Sequence, residues 1–283
     1  MPTSRSIVLF TVLATAGAVP TQDWRLRDLA IPLASTFDRA RGRLVVVGFR
    51  GETSELVGNE LRQRTVPLRT PWSPVLCYDP QREVVWSVDI DSGGSAFTVT
   101  TARYDGVEWT DVQPPVRPSP RVSFGAAFDT TRGELVLFGG TNSFGSPLGD
   151  TWTFDGTTWT PRTPAIAPPA RHGMALADDF ARARIVLFGG DDGSALDDTW
   201  EWDGSTWAAR PTGTRPSPRS GHALAFDPVR SRTVLFGGTS TWNVFPPDDT
   251  WEWDGQSWSQ IVPPAAPPGG RARATAPFDP NRS

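Results

Sequence analysis

The chain has 283 residues, enough for a full-sized core, and carries 31 acidic against 27 basic residues. The balance is weakly acidic and no dense basic stretch interrupts it, which excludes nucleic acid as the expected partner. Lysine is absent, so phosphate-loop, Schiff-base and Ser-Lys chemistries fall away, and the single cysteine, Cys77, rules out an intrachain disulfide.

At the start, Arg5 precedes the apolar run Ile7 to Ala14, and the small-residue pattern Ala16-Gly17-Ala18 follows. This is the layout of a secretory signal peptide over residues 1–18, cleaved after Ala18. Its apolar core is too short to span a bilayer and no other long apolar run follows, so a secreted protein, extracellular or periplasmic, with no membrane anchor is expected. Residues 19–283 are then one domain.

Self-similarity dominates that domain. The clearest unit contains Arg219-Ser220-Gly221-His222, Phe226-Asp227, Thr233-Val234-Leu235-Phe236-Gly237-Gly238, Asp249-Thr250-Trp251-Glu252-Trp253-Asp254-Gly255 and Trp258. Two earlier units repeat it around Gly139-Gly140 and Gly189-Gly190, a period near 50. Two more degenerate units, with Phe37-Asp38 and Tyr78-Asp79, lack the Gly-Gly pair. Units are expected near 31–72, 73–113, 121–163, 171–211 and 219–262. A partial sixth at 270–283 carries Arg271 and Phe278-Asp279, and residues 22–28, with Trp24, could complete it.

Short apolar runs bounded by Gly, Pro and Asp predict four strands per unit, here called a to d. In the last full unit these are His222 to Phe226, Thr233 to Phe236, Thr250 to Trp253 and a strand around Trp258. Asp254-Gly255 predicts a two-residue type I′ hairpin with both residues at positive φ. Trp251 and Trp253 alternate with Thr250 and Glu252, which places both indoles on one face. Four strands cannot bury such a face alone, so neighbouring units must stack into a ring.

The L-V-L-F-G-G run, the spaced tryptophan and the period near 50 resemble the kelch motif of β-propellers. The resemblance implies an all-β propeller of four-stranded antiparallel blades, five recognisable blades plus a partial sixth. It also implies a binding or scaffolding module without catalytic chemistry or cofactor. A galactose-oxidase-like copper propeller would need two tyrosines and two histidines together. Tyr78 and Tyr104 are the only tyrosines, Tyr104 falls in the Phe154, Trp202, Trp253 column, and His172 and His222 fall in different columns. A sialidase-type Asp-box separates its Asp and Gly, whereas Asp203-Gly204 are adjacent. The acids Asp150, Asp198 and Asp249, with Asp191-Asp192 and Asp197, are read as turn and strand-start acceptors rather than as a calcium site.

The expected ligand is a protein, peptide or glycan, met by the face that bears the b–c and d–a loops. Phe144, Trp242 and Phe245 stand at b–c loop tips as candidate anchors. Arg121, Arg171, Arg219 and Arg271 align at the entry to strand a, where guanidinium groups around the channel mouth would suit an acidic peptide. The same four could instead hydrogen-bond loop carbonyls or pair with the strand-c acids. An envelope hydrolase or oxidoreductase with a dispersed active site is the alternative function.

Overall fold

The computed structural model describes residues 32–48, 50–58, 60–64, 68, 72, 74–91, 97–240 and 249–261. Arg271, Trp242 and Phe245, the expected leader at 1–18 and the expected partial sixth unit at 270–283 lie outside the described residues.

The described residues form five four-stranded antiparallel sheets in sequential order. Blade 1 comprises β1 (Pro32–Asp38), β2 (Arg43–Gly48), β3 (Thr53–Val57) and β4 (Glu60–Arg64). Blade 2 comprises β5 (Val75–Asp79), β6 (Val84–Asp91), β7 (Thr98–Tyr104) and β8 (Trp109–Val112). Blade 3 comprises β9 (Gly125–Asp129), β10 (Glu134–Phe138), β11 (Thr151–Phe154) and β12 (Trp159–Arg162). Blade 4 comprises β13 (Ala175–Asp179), β14 (Arg184–Asp191), β15 (Ala195–Trp202) and β16 (Trp207–Ala209). Blade 5 comprises β17 (Ala223–Asp227), β18 (Arg232–Phe236), β19 (Thr250–Trp253) and β20 (Trp258–Ile261). The first strands contact one another in series, β1 to β5, β9, β13 and β17, and so line a central channel.

The second strands of blades 1, 3 and 4 carry continuous apolar runs because both of their faces are covered, whereas β6 of blade 2 buries Ser87 and Asp89 among its apolar residues. In β10, Leu135 and Leu137 pack towards blade 2, whereas Val136 and Phe138 pack towards blade 4. Trp251 and Trp253 share one buried cluster, as their alternation predicts.

Polar stitches join the blades. The strand-d tryptophans Trp109, Trp159, Trp207 and Trp258 each donate Nε1–H to a threonine of the preceding blade: Thr53, Thr101, Thr151 and Thr199, at 2.8–3.0 Å. At the a–b turns the reach is forward. Arg82 donates to the Asp155 carbonyl at 2.7 Å, Arg132 donates to the Asp203 carbonyl, and each is also paired with the buried aspartate three residues before it.

The c–d turn differs from the predicted type I′ geometry. Only its glycine has positive φ, 98° at Gly255 and 96° at Gly204. The preceding aspartate instead accepts from two backbone N–H groups through its side chain, as Asp203 Oδ1 does from Ser205 and Thr206 at 2.8 and 2.9 Å. Closure comes from this carboxylate rather than from a second left-handed residue.

Candidate functional site

The three described arginines of the strand-a entry column are 0–1% exposed and turned into their own blades. Arg121 binds Asp150 bidentately at 2.6 and 2.8 Å, and donates to the Gly139 and Ser119 carbonyls and to Ser119 Oγ. Arg219 repeats all five bonds with Asp249, Gly237 and Ser217. Arg171 makes four, to Asp198, Gly189 and the Pro169 carbonyl, because a proline stands where the other blades supply a serine hydroxyl. Trp152, Trp200 and Trp251 complete each latch by donating to the same aspartate at 2.6–2.7 Å. Burial is the largest single influence and would raise these three carboxyls, but the hydrogen bonds from the arginine, the tryptophan and the backbone, with the arginine charge, together outweigh it and hold them below the usual carboxylate range.

Guanidinium groups lining the mouth are therefore not what Arg121, Arg171 and Arg219 provide. Their donors are engaged inside the blade, in the alternative the sequence also allowed.

The Gly-Gly pair belongs to the same device. A Cβ on Gly139 would lie 2.6 Å from the Arg171 carbonyl oxygen, and one on Gly189 equally close to that of Arg219. Gly140 N–H and Gly190 N–H donate to those two carbonyls at 2.9 and 3.0 Å. Each pair thus accepts its own blade's arginine and lets the next blade's backbone approach. Blades 1 and 2 lack both the arginine and the pair.

The loop face presents aromatics. Phe144 is 93% exposed at the tip of a b–c loop whose Asn142 Oδ1 accepts from Phe144 N–H and Ser146 N–H at 2.9 and 3.0 Å. Trp72, 58% exposed, packs on the exposed Phe97 with ring centroids 5.9 Å apart. This pair was not anticipated. Trp72 stands in the d–a loop of a degenerate blade, and its only sequence signal is a bulky aromatic among turn residues. Around the same mouth, Val122, His172 and Ser220 bridge to Thr141, Asp191 and Thr239. His172 Nε2 lies 4.0 Å from Asp191, and Asp197 pairs with Arg215 at 2.8 Å. Among the described residues no group of three His, Cys, Asp or Glu side chains could hold a metal ion.

The channel encloses a cavity of about 320 Å³. Near the loop end, His222 packs edge-on against Phe188, and burial pushes it down to about 3, so it is neutral. Near the turn end stands Asp178, in the column filled elsewhere by Phe37, Tyr78, Phe128 and Phe226. Thr130 N–H donates to its Oδ2 at 3.1 Å, while its buried Oδ1 has no hydrogen-bond partner. Burial lifts this carboxyl to about 7, against the opposing Thr130 hydrogen bonds. Across the channel, Arg39 from blade 1 stacks on Phe180 from blade 4, with the guanidinium carbon 5.1 Å from the ring centroid.

No curated protein matches the chain. Many solved structures do; one, the structure of YjhT, has a TM-score of 0.68 at 11% identity and covers 88% of each chain. At that identity the likeness speaks for the propeller fold alone. The family model described as the KLHDC2/KLHL20/DRC7 Kelch-repeats domain matches residues 85–282. That span is more than half of the chain, and it covers the blades in which the arginine latch and the Gly-Gly pair occur together: the protein belongs to the Kelch-repeat family.

Proposed function

We propose that this protein is an exported, non-enzymatic recognition module that holds a protein, peptide or glycan on the face bearing its b–c and d–a loops. The observation that carries the reading is Phe144, an almost fully exposed aromatic on a loop tip fixed by its own Asn142. Solvating such a ring is unfavourable, and a pinned loop loses little entropy on binding. Trp72 and Phe97 extend the apolar surface on the neighbouring blade. An acidic ligand is not favoured, since Arg121, Arg171 and Arg219, three of the four arginines that would have met it, are buried. The layout of residues 5–18 supports export.

The test is photocrosslinking in the native extracellular fraction. A benzophenone amino acid replaces Phe144 in one variant and Val229, an exposed residue of an a–b turn, in another. A discrete adduct from position 144 that is absent from position 229 is expected. Equal labelling at both, or none at 144, would overturn the reading. N-terminal sequencing of the exported protein checks cleavage after Ala18.

A further inference from the structure

We propose that the turn end of the central channel, between the Asp178 carboxyl and the Arg39 guanidinium, binds a small zwitterion of the α-amino-acid type. Two opposite charges face one cavity from different blades and influence each other electrostatically without closing into an ion pair. A ligand that offers an ammonium to Asp178 and a carboxylate to Arg39 satisfies both at once. Either charge alone would meet one attraction and one repulsion.

Three further features agree. Stacking on Phe180 uses the face of the Arg39 guanidinium and leaves its edge, where the donors lie, for a planar acceptor. The cavity, about 320 Å³, sits at the small end of ligand sites, and Ala127, Ala177, Leu224 and Ala225 give it an apolar wall for a side chain. Asp178 also replaces an aromatic that the other four blades keep at this place. Asp178 is half-buried, and leaving its buried Oδ1 unpartnered destabilises a fold; such groups concentrate at functional sites.

Asp129, Arg39, Tyr78 and Cys77 are the other ionisable groups that face Asp178. Burial raises the last two, which keeps them neutral through the pH range of the test. The site lies at the opposite end of the channel from Phe144, so it stands or falls independently of the loop-face reading.

The experiment is calorimetric titration of the full chain with L-alanine and L-phenylalanine, and with ethylamine and propionate as single-charge probes, near pH 6 and pH 8. Both amino acids are expected to bind in the millimolar range and the single-charge probes not to bind. Affinity should rise about ninefold at the higher pH, because a carboxyl titrating near 7 is about a tenth ionised at one pH and about nine-tenths at the other. Asp178→Asn and Arg39→Gln should each abolish the binding heat, with melting showing both variants folded. Absence of amino-acid heat at tens of millimolar, unchanged affinity in either folded variant, or ethylamine binding as tightly as alanine would overturn the proposal.

Discussion

Arg121→Met tests the latch directly, because methionine keeps most of the apolar stem and removes the guanidinium. Five hydrogen bonds disappear, two of them to the Asp150 carboxylate. Removing one partner of a buried ion pair costs about 3–5 kcal/mol when the other partner stays dry. Asp150 keeps 41% of its side chain exposed, so water can reach it, and the cost should sit at the low end, about 3 kcal/mol. In a domain of this size that is a fall in melting temperature of roughly 6–12 °C. Asp249 is only 19% exposed, so Arg219→Met should cost more, about 4 kcal/mol. Urea titration and calorimetric melting of the two variants measure both values. A loss below about 1 kcal/mol, or Arg121→Met costing more than Arg219→Met, would refute the reasoning that these arginines are structural and that carboxylate solvation sets the penalty.

Asp178 should make stability fall as pH rises from about 4 to 7, because the folded state retains a proton that the unfolded chain has released; the span from 3.8 to about 7 corresponds to about 4 kcal/mol. Asp178→Asn should flatten that slope in pH-dependent urea titrations, and an unchanged slope would contradict it. The carboxyls of Asp150, Asp198 and Asp249 act in the opposite sense, losing their contribution as pH falls below about 4. Trp253 Nε1 donates to buried Glu201 at 3.0 Å, whereas Trp202 Nε1 is buried without a partner, so Trp253→Phe should cost about 1–2 kcal/mol more than Trp202→Phe by chemical denaturation. Equal costs would deny the hydrogen bond its weight. Cys77 is buried and its thiol is pushed up to about 12, so thiol reagents should modify it only as fast as the protein unfolds; rapid stoichiometric labelling of the native state would place it at an accessible surface.

The blades were legible in the sequence because their signals are local. Alternating tryptophans, the Leu-Val-Leu-Phe run and the Asp-Gly pair each fix a strand or a turn without reference to distant residues. Strand limits accordingly agree to within a residue, as with β17 at Ala223–Asp227 against an expected start at His222. What was not legible depends on where a side chain points. Arg219 could have faced the channel or its own blade, and only the fold brings Asp249, 30 residues away, within 2.6 Å of it. The c–d turn was misjudged because an Asp-Gly pair serves both a left-handed turn and a side-chain-capped one. Asp178 was missed: it departs from a column that is aromatic in the other four blades, and that departure carries weight only once the column is known to end at a cavity.

The tryptophan stitches have a direction, and the direction has a consequence in time. In every described pair the acceptor threonine precedes the donor tryptophan by 56–59 residues, and never follows it. A ribosome moving at about 5–20 residues per second makes the donor roughly 3–12 seconds after its acceptor. Each new blade is therefore finished by a residue that docks onto a blade already synthesised, so the propeller can grow by accretion from the amino-terminal side. The forward-reaching arginines Arg82 and Arg132 are made before the carbonyls they hold, and must wait one blade for them.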